Sequence, residues 1–134
     1  MSSLFSVLGI ACSGVDAMQT WLDAAGGNIA NANDVVSPNQ KTYADELTLL
    51  SPTGAPGQAG MGVQASVVLG PNSGVLAYAP NNPLANAQGD VKYPQVSTSH
   101  ELVNLIQAQD AYQANTSVMQ KAISAYRSGL TIGS

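Results

Sequence analysis

The single histidine opens the stretch "HELVN" at residues 100–104, close to a helical zinc-protease pattern in which two imidazoles one turn apart grip the metal. Asn104 stands where the second imidazole is needed, and a neutral amide is a poor zinc ligand. With no other histidine in the chain, no catalytic zinc is expected. His100 and Asp110 could join a serine in a hydrolytic triad, but no Gly-x-Ser-x-Gly elbow occurs. Cys12 and His100 form a second nominal pair. Cys12, however, falls in an apolar helical stretch with no cation beside it to favour the thiolate, and reads as a small apolar helix residue. Asp16 and Asp23 lie seven apart on one helix face with no third polar partner, which is the pattern of a solvated face. Ser99 and Glu101 around His100 read as a helix start, with Ser99 capping and Glu101 in the first turn. These residues predict a chain that is not an enzyme and takes no metal or cofactor.

Composition sets the wider limits. The 134 residues are 9% charged, with four basic and eight acidic side chains and a net charge of −4. Ordinary soluble domains carry roughly 25% charged residues. Sparse charge with many neutral amides and hydroxyls suits either a low-charge secreted domain or a subunit packed among others, where each unpaired charge would be costly to desolvate. Four basic residues leave no patch to neutralise phosphates, so neither nucleic acid nor an anionic membrane is an expected partner. No Lys or Arg precedes Lys41, and no apolar run reaches the eighteen or so residues of a membrane span. A cleaved secretion signal and direct membrane insertion are therefore not expected. "GIAC" at 9–12 lacks the branched residue and basic start of a lipoprotein box, and "NTS" at 115–117 is a mid-helix chance sequon.

All prolines lie between Pro38 and Pro94, and most glycines between Gly54 and Gly89. The chain divides into residues 1–33, a broken middle at 34–98, and 99–134. Leu4, Leu8, Ala11, Val15, Met18, Leu22, Ala25 and Ile29 alternate spacings of four and three, an a/d seam of nearly four heptads. Leu105, Ala108, Tyr112, Asn115, Met119, Ala122 and Tyr126 repeat the pattern near the other end. Neither stripe can be buried alone, so the two ends pair with each other or with neighbouring subunits. Asn115, the lone amide on its seam, is expected to fix register, because a slipped pairing would bury its donor and acceptor without partners. In a dilute chain residues 1–30 and 100–134 are expected to be mobile, and to order on assembly. Short β-prone runs at 41–50, 62–70 and 74–80 predict a small hairpin-like element, with 51–62 as a connector. The predicted class is mainly α, with long terminal helices paired as a coiled coil and a short β-hairpin-like middle.

"AAGGNIANAN" at 24–33 places glycines and asparagines where the first seam stops. "NIANAN" resembles the Asn-Leu-Ala-Asn signature of bacterial flagellar rod, hook and hook-associated axial proteins. "NANDVVSPNQKTYADE" (31–46), "YAPNNPLANAQGDVKYPQVS" (78–97) and "ELVNLIQAQDAYQANTSVMQ" (101–120) are similar to the proximal-rod members of that family. The resemblance covers nearly the whole chain. It implies a structural subunit of the basal-body rod, which crosses the cell envelope through the periplasm. Its partners would be itself, other rod subunits and the flagellar type III export apparatus, and the helices would line an axial tube that transmits torque. The expected assembly interface is Leu8, Val15, Leu22, Asn28, Ile29, Asn31, Leu105, Tyr112, Asn115, Met119 and Tyr126. The amides at Asn28 and Asn31 either cap a helix end or bridge to another segment. Gly26 and Gly27 depart from the Ala-Ser more usual in relatives, which leaves open a bend there. The alternative is a secreted helical-hairpin module that binds one partner and never polymerises.

Overall fold

The computed structural model describes residues 2–55, 57 and 60–133. Pro56, Gln58 and Ala59 of the connector lie outside the described residues.

Two long helices carry the fold, α1 (Ser2–Asn31) and α2 (Thr98–Ile132). They pack antiparallel. Phe5 of the first turn meets Tyr126 near the end of α2, with ring centroids 5.6 Å apart, and Asn28 near the end of α1 meets Glu101 in the first turn of α2. The seams face inward. Ala11, Met18, Ala25, Ala108 and Ala122 are buried and the larger seam residues between them are half-buried, because alanine lets the two backbones approach while the branched side chains reach only partly across.

Gly26 and Gly27 leave α1 unbroken to Asn31. Two helical glycines lose about 1 kcal/mol each against alanine, less than the packing of this segment supplies, and Asn31 Nδ2 closes the last turn by donating to Gly27 O at 2.8 Å. The start of α2 differs from the expected one. Ser97, extended at φ −91° and ψ 98°, is the N-cap, its hydroxyl accepting from His100 N. Ser99 lies inside the first turn, where its own N–H is one of the free donors and its side chain cannot cap it.

The middle contains more β structure than the hairpin predicted. Strands β1 (Glu46–Pro52) and β2 (Val63–Leu69) form an antiparallel hairpin with Glu46 opposite Leu69 and Pro52 opposite Val63. The hairpin lies along α1, where Ser13 Oγ accepts from Val63 N at 3.1 Å. This contact buries a second stripe of α1, including Ala17 and Ala24, which the a/d pattern does not contain. Strands β3 (Val75–Tyr78) and β4 (Asp90–Tyr93) form a separate two-stranded sheet. β4 escapes a β-propensity reading because "DVKY" is short and sits among Asn, Pro and Gly. What makes it a strand is its turn. Asn86 Oδ1 accepts from Gln88 N and Asp90 N at 3.0 and 2.8 Å, and Gly89 takes φ +85° with no room for a Cβ beside the Tyr78 ring. Reciprocal backbone bonds between Val36 and Lys92, 3.0 and 2.9 Å, attach this sheet to the segment leaving α1, and Val91 is fully buried there.

Candidate functional site

The segment after α1 turns back so that residues 42–46 run past the end of the helix they have just left. Thr42 fixes that return, its N–H and hydroxyl both donating to Asn72 O at 3.1 Å. Asn28, with no exposed surface, then meets the returning chain. Its Nδ2 donates to Glu46 O at 2.9 Å and its Oδ1 accepts from Glu46 N at 2.7 Å, so the side-chain amide pairs with the first residue of β1 as a neighbouring strand would. Tyr43 Oη donates to the same Oδ1 at 3.1 Å. The second Nδ2 hydrogen reaches Glu101 Oε2 at 3.1 Å. Both donors and both lone-pair positions of the amide are thus used.

Glu101 is 6% exposed and also accepts from Asn104 Nδ2 at 3.4 Å. Its place in the first turn of α2 sets the carboxylate against free backbone N–H groups and the positive end of the helix dipole, so a buried negative charge is met by dipoles and amides. Burial, then the nearby carboxylates of Glu46, Asp45 and Glu101, push the Tyr43 hydroxyl above its ordinary value of 10.0. It remains a protonated donor. The cluster joins α1, β1 and α2 at one point. It has the chemistry of a structural clasp, with neither a nucleophile held against a base nor a set of metal-ligating side chains; among the described residues no group of three or more His, Cys, Asp and Glu converges to hold an ion.

The other expected interface residues divide by place. Leu8, Val15, Leu22 and Ile29 on α1, and Leu105, Tyr112, Asn115, Met119 and Tyr126 on α2, are half-buried along the helix pair. Asn31 acts locally through Gly27 O, unlike Asn28, so the two asparagines of one signature do different work. Asn115 Nδ2 donates to Ala111 O of its own helix at 3.0 Å, a bond that a slipped pairing would leave in place. Asp16, Asp23, His100 and Asp110 are exposed. Cys12 is exposed as well, not buried, with its thiol 3.6 Å from Met119 Sδ. Tyr43, Glu46 and the burial of Glu101 are not legible in periodicity; the available signal is an acidic residue in a chain that uses charge so sparingly.

A family model described as the C-terminal region of flagellar basal body rod FlgEFG proteins matches residues 87–131. The flagellar basal-body rod protein FlgC of Salmonella typhimurium is 38% identical over 132 residues, covering 98% of each chain. FlgC of Escherichia coli O6:H1 is 36% identical over 132 residues with the same coverage. FlgC of Buchnera aphidicola from Acyrthosiphon pisum is 34% identical over 134 residues, 97% of this chain and 98% of that one.

Proposed function

The chain belongs to the flagellar basal-body rod protein FlgC family, and from that premise we propose how its fold serves the rod. It is a structural subunit of the bacterial flagellar basal-body rod, located in the basal body and assembling with other rod components. Near-full-length similarity to rod proteins favours this over a helical module that binds one partner and stops. In our reading the subunit occupies the proximal rod, passes through the type III export apparatus, and performs no catalysis. Its two helices, α1 and α2, form a coiled coil lining an axial tube that transmits torque. The middle, 34–98, lies outside them and the partners are neighbouring subunits, not nucleic acid or lipid.

One observation carries the assembly reading. Among the described residues the buried hydrophobics are seven alanines with Met18 and Val91, while Phe5, Leu49, Leu69, Leu76, Ile106 and Ile132 are more than half exposed. A chain that buries alanine and shows its large aliphatics has its apolar surface arranged for neighbours. The half-buried seam residues named above would be completed by them. No described helix is long and apolar enough to cross a membrane. The test compares Leu22→Asp with Gln107→Asp in a complemented deletion strain. An unpaired carboxylate on the seam costs several kcal/mol, and one on the exposed face less than about half of one. Swimming is expected to be lost in the first and kept in the second; a motile Leu22→Asp strain overturns the seam assignment.

A further inference from the structure

We infer that α1 and α2 are held in one axial register by two pins of different chemistry, the polar clasp at Asn28 and Glu101 and a steric notch at Gly14 that receives Asn115. Gly14 is buried on the face of α1 turned to α2. A Cβ built there would fall 2.6 to 2.8 Å from the Oδ1, Cγ and Nδ2 atoms of Asn115, closer than real Cβ atoms come. The amide therefore occupies the space that any side chain at position 14 would fill. Asn115 cannot turn aside without loss, because its Nδ2 is bonded to Ala111 O.

The two pins share an offset. Fourteen residues separate Gly14 from Asn28, and fourteen separate Glu101 from Asn115, so both pins are satisfied by the same alignment of the helices. Fourteen residues is two heptads, about 21 Å of helix at 1.5 Å per residue. The Cys12 to Met119 contact lies beside the notch in the same alignment. Sliding α2 by one heptad in either direction would set Asn115 against Val7 or Trp21 and take Glu101 from Asn28. A slip of three or four residues sets it against Ile10, Ala11, Ala17 or Met18, each of which carries a Cβ. An a/d seam alone tolerates such slips, because apolar surface is interchangeable. One pin would fix axial position and leave the helices free to splay; two, so far apart, fix position and crossing together. The offset decides which exposed apolar residues at the two helix ends stand side by side for a neighbour.

The proposal concerns the single chain and does not depend on the rod reading, so two readouts are used. Alanine is the better helix former, so propensity predicts that Gly14→Ala strengthens α1, whereas the notch predicts the reverse. Gly9→Ala is the control, since nothing lies within 4 Å of a Cβ there. In the purified full-length chain carrying Met119→Cys, at a concentration where far-UV circular dichroism shows both helices formed, a short bifunctional thiol reagent should join Cys12 to position 119. The yield should fall with Gly14→Ala, stay with Gly9→Ala, and return when Asn115→Ala is added to Gly14→Ala. Swimming of the complemented strain, without the Met119 change, should follow the same order. An undiminished crosslink in Gly14→Ala, or no recovery on removing the Asn115 amide, overturns the notch. If the wild-type chain itself fails to restore swimming, the rod reading falls while the crosslink series still decides the pin.

Discussion

The two ends of the helix pair are built from opposite materials. At one, Asn28 and Glu101 are almost wholly removed from water and every polar position of the amide is engaged. At the other, Leu4, Phe5, Leu8, Ala122, Ile123 and Tyr126 surround an apolar cavity of about 150 Å³ that opens to solvent, and Phe5 is 55% exposed. The polar end permits one arrangement, because any other leaves donors and acceptors buried without partners. The apolar end holds through area alone, so it gains from any apolar surface that covers it. Specificity within the chain and capacity for neighbours are thus placed about a helix length apart.

The sharpest way to break this contrast is at the amide. Asn28→Leu should cost several kcal/mol, on the order of 1 to 3 for each group left unsatisfied, since Glu46, Tyr43 and Glu101 all lose a partner. Denaturant unfolding of the full-length chain would measure it, and a cost below that of the Phe5 substitution would remove the contrast altogether. Phe5→Ala should cost only about 1 kcal/mol, because the ring is half exposed and its tilted contact with Tyr126 contributes about 0.5 to 1.5. Amide exchange should then quicken near residues 4–12 and 119–126 in the mutant while protection around Asn28 stays unchanged. Uniform loss of protection would show the ends to be one cooperative unit.

Tyr43 sharpens the comparison through pH. Its hydroxyl is held above its ordinary value, chiefly by burial, so the folded chain keeps the proton more tightly than the unfolded one. The stability this gives is complete below pH 10 and is lost as pH rises through the folded-state value. Tyr43→Phe should lower stability at neutral pH by about 1 kcal/mol for the lost bond and flatten the alkaline decline; an equally steep decline in the mutant would assign it to another group. The smallest effect is expected at Gly26→Ala. Nothing lies within 4 Å of a Cβ there, so propensity alone should raise stability by about 0.5 to 1 kcal/mol. A fall in the melting midpoint would show that α1 needs flexibility at the glycines.

Much of this fold is readable without coordinates, for reasons that differ by region. The seams of α1 and α2 can be seen because helical periodicity is a local property, repeated over enough turns to outweigh the two glycines. The β1–β2 pairing can be seen in part, since its strands are β-prone. β4 cannot, because its four residues become a strand only through the Asn86 turn and the Val36 bridge. Cap position is similarly hidden: Ser97 and Ser99 are equivalent as letters, and the extended backbone at Ser97 selects between them.

The site divides in the same way. The signature at Asn28 to Asn31 marks a place of interest and resembles a family, yet assigns no partner to either amide. The partners of Asn28 include Glu101, 73 residues away, while Asn31 bonds Gly27 four residues back. Sequence by itself determined the two amphipathic stripes, the interrupted middle and the low charge, because each is written in local spacing or composition, and it pointed to the family through the resemblance of whole stretches to known relatives. Tertiary structure alone decided which stripe residues meet, that Asn28 is a clasp while Asn31 closes a turn, and that Gly14 is a notch. Those outcomes depend on where distant segments come together in space, and a buried polar group or a missing Cβ takes its meaning only from the atoms placed against it.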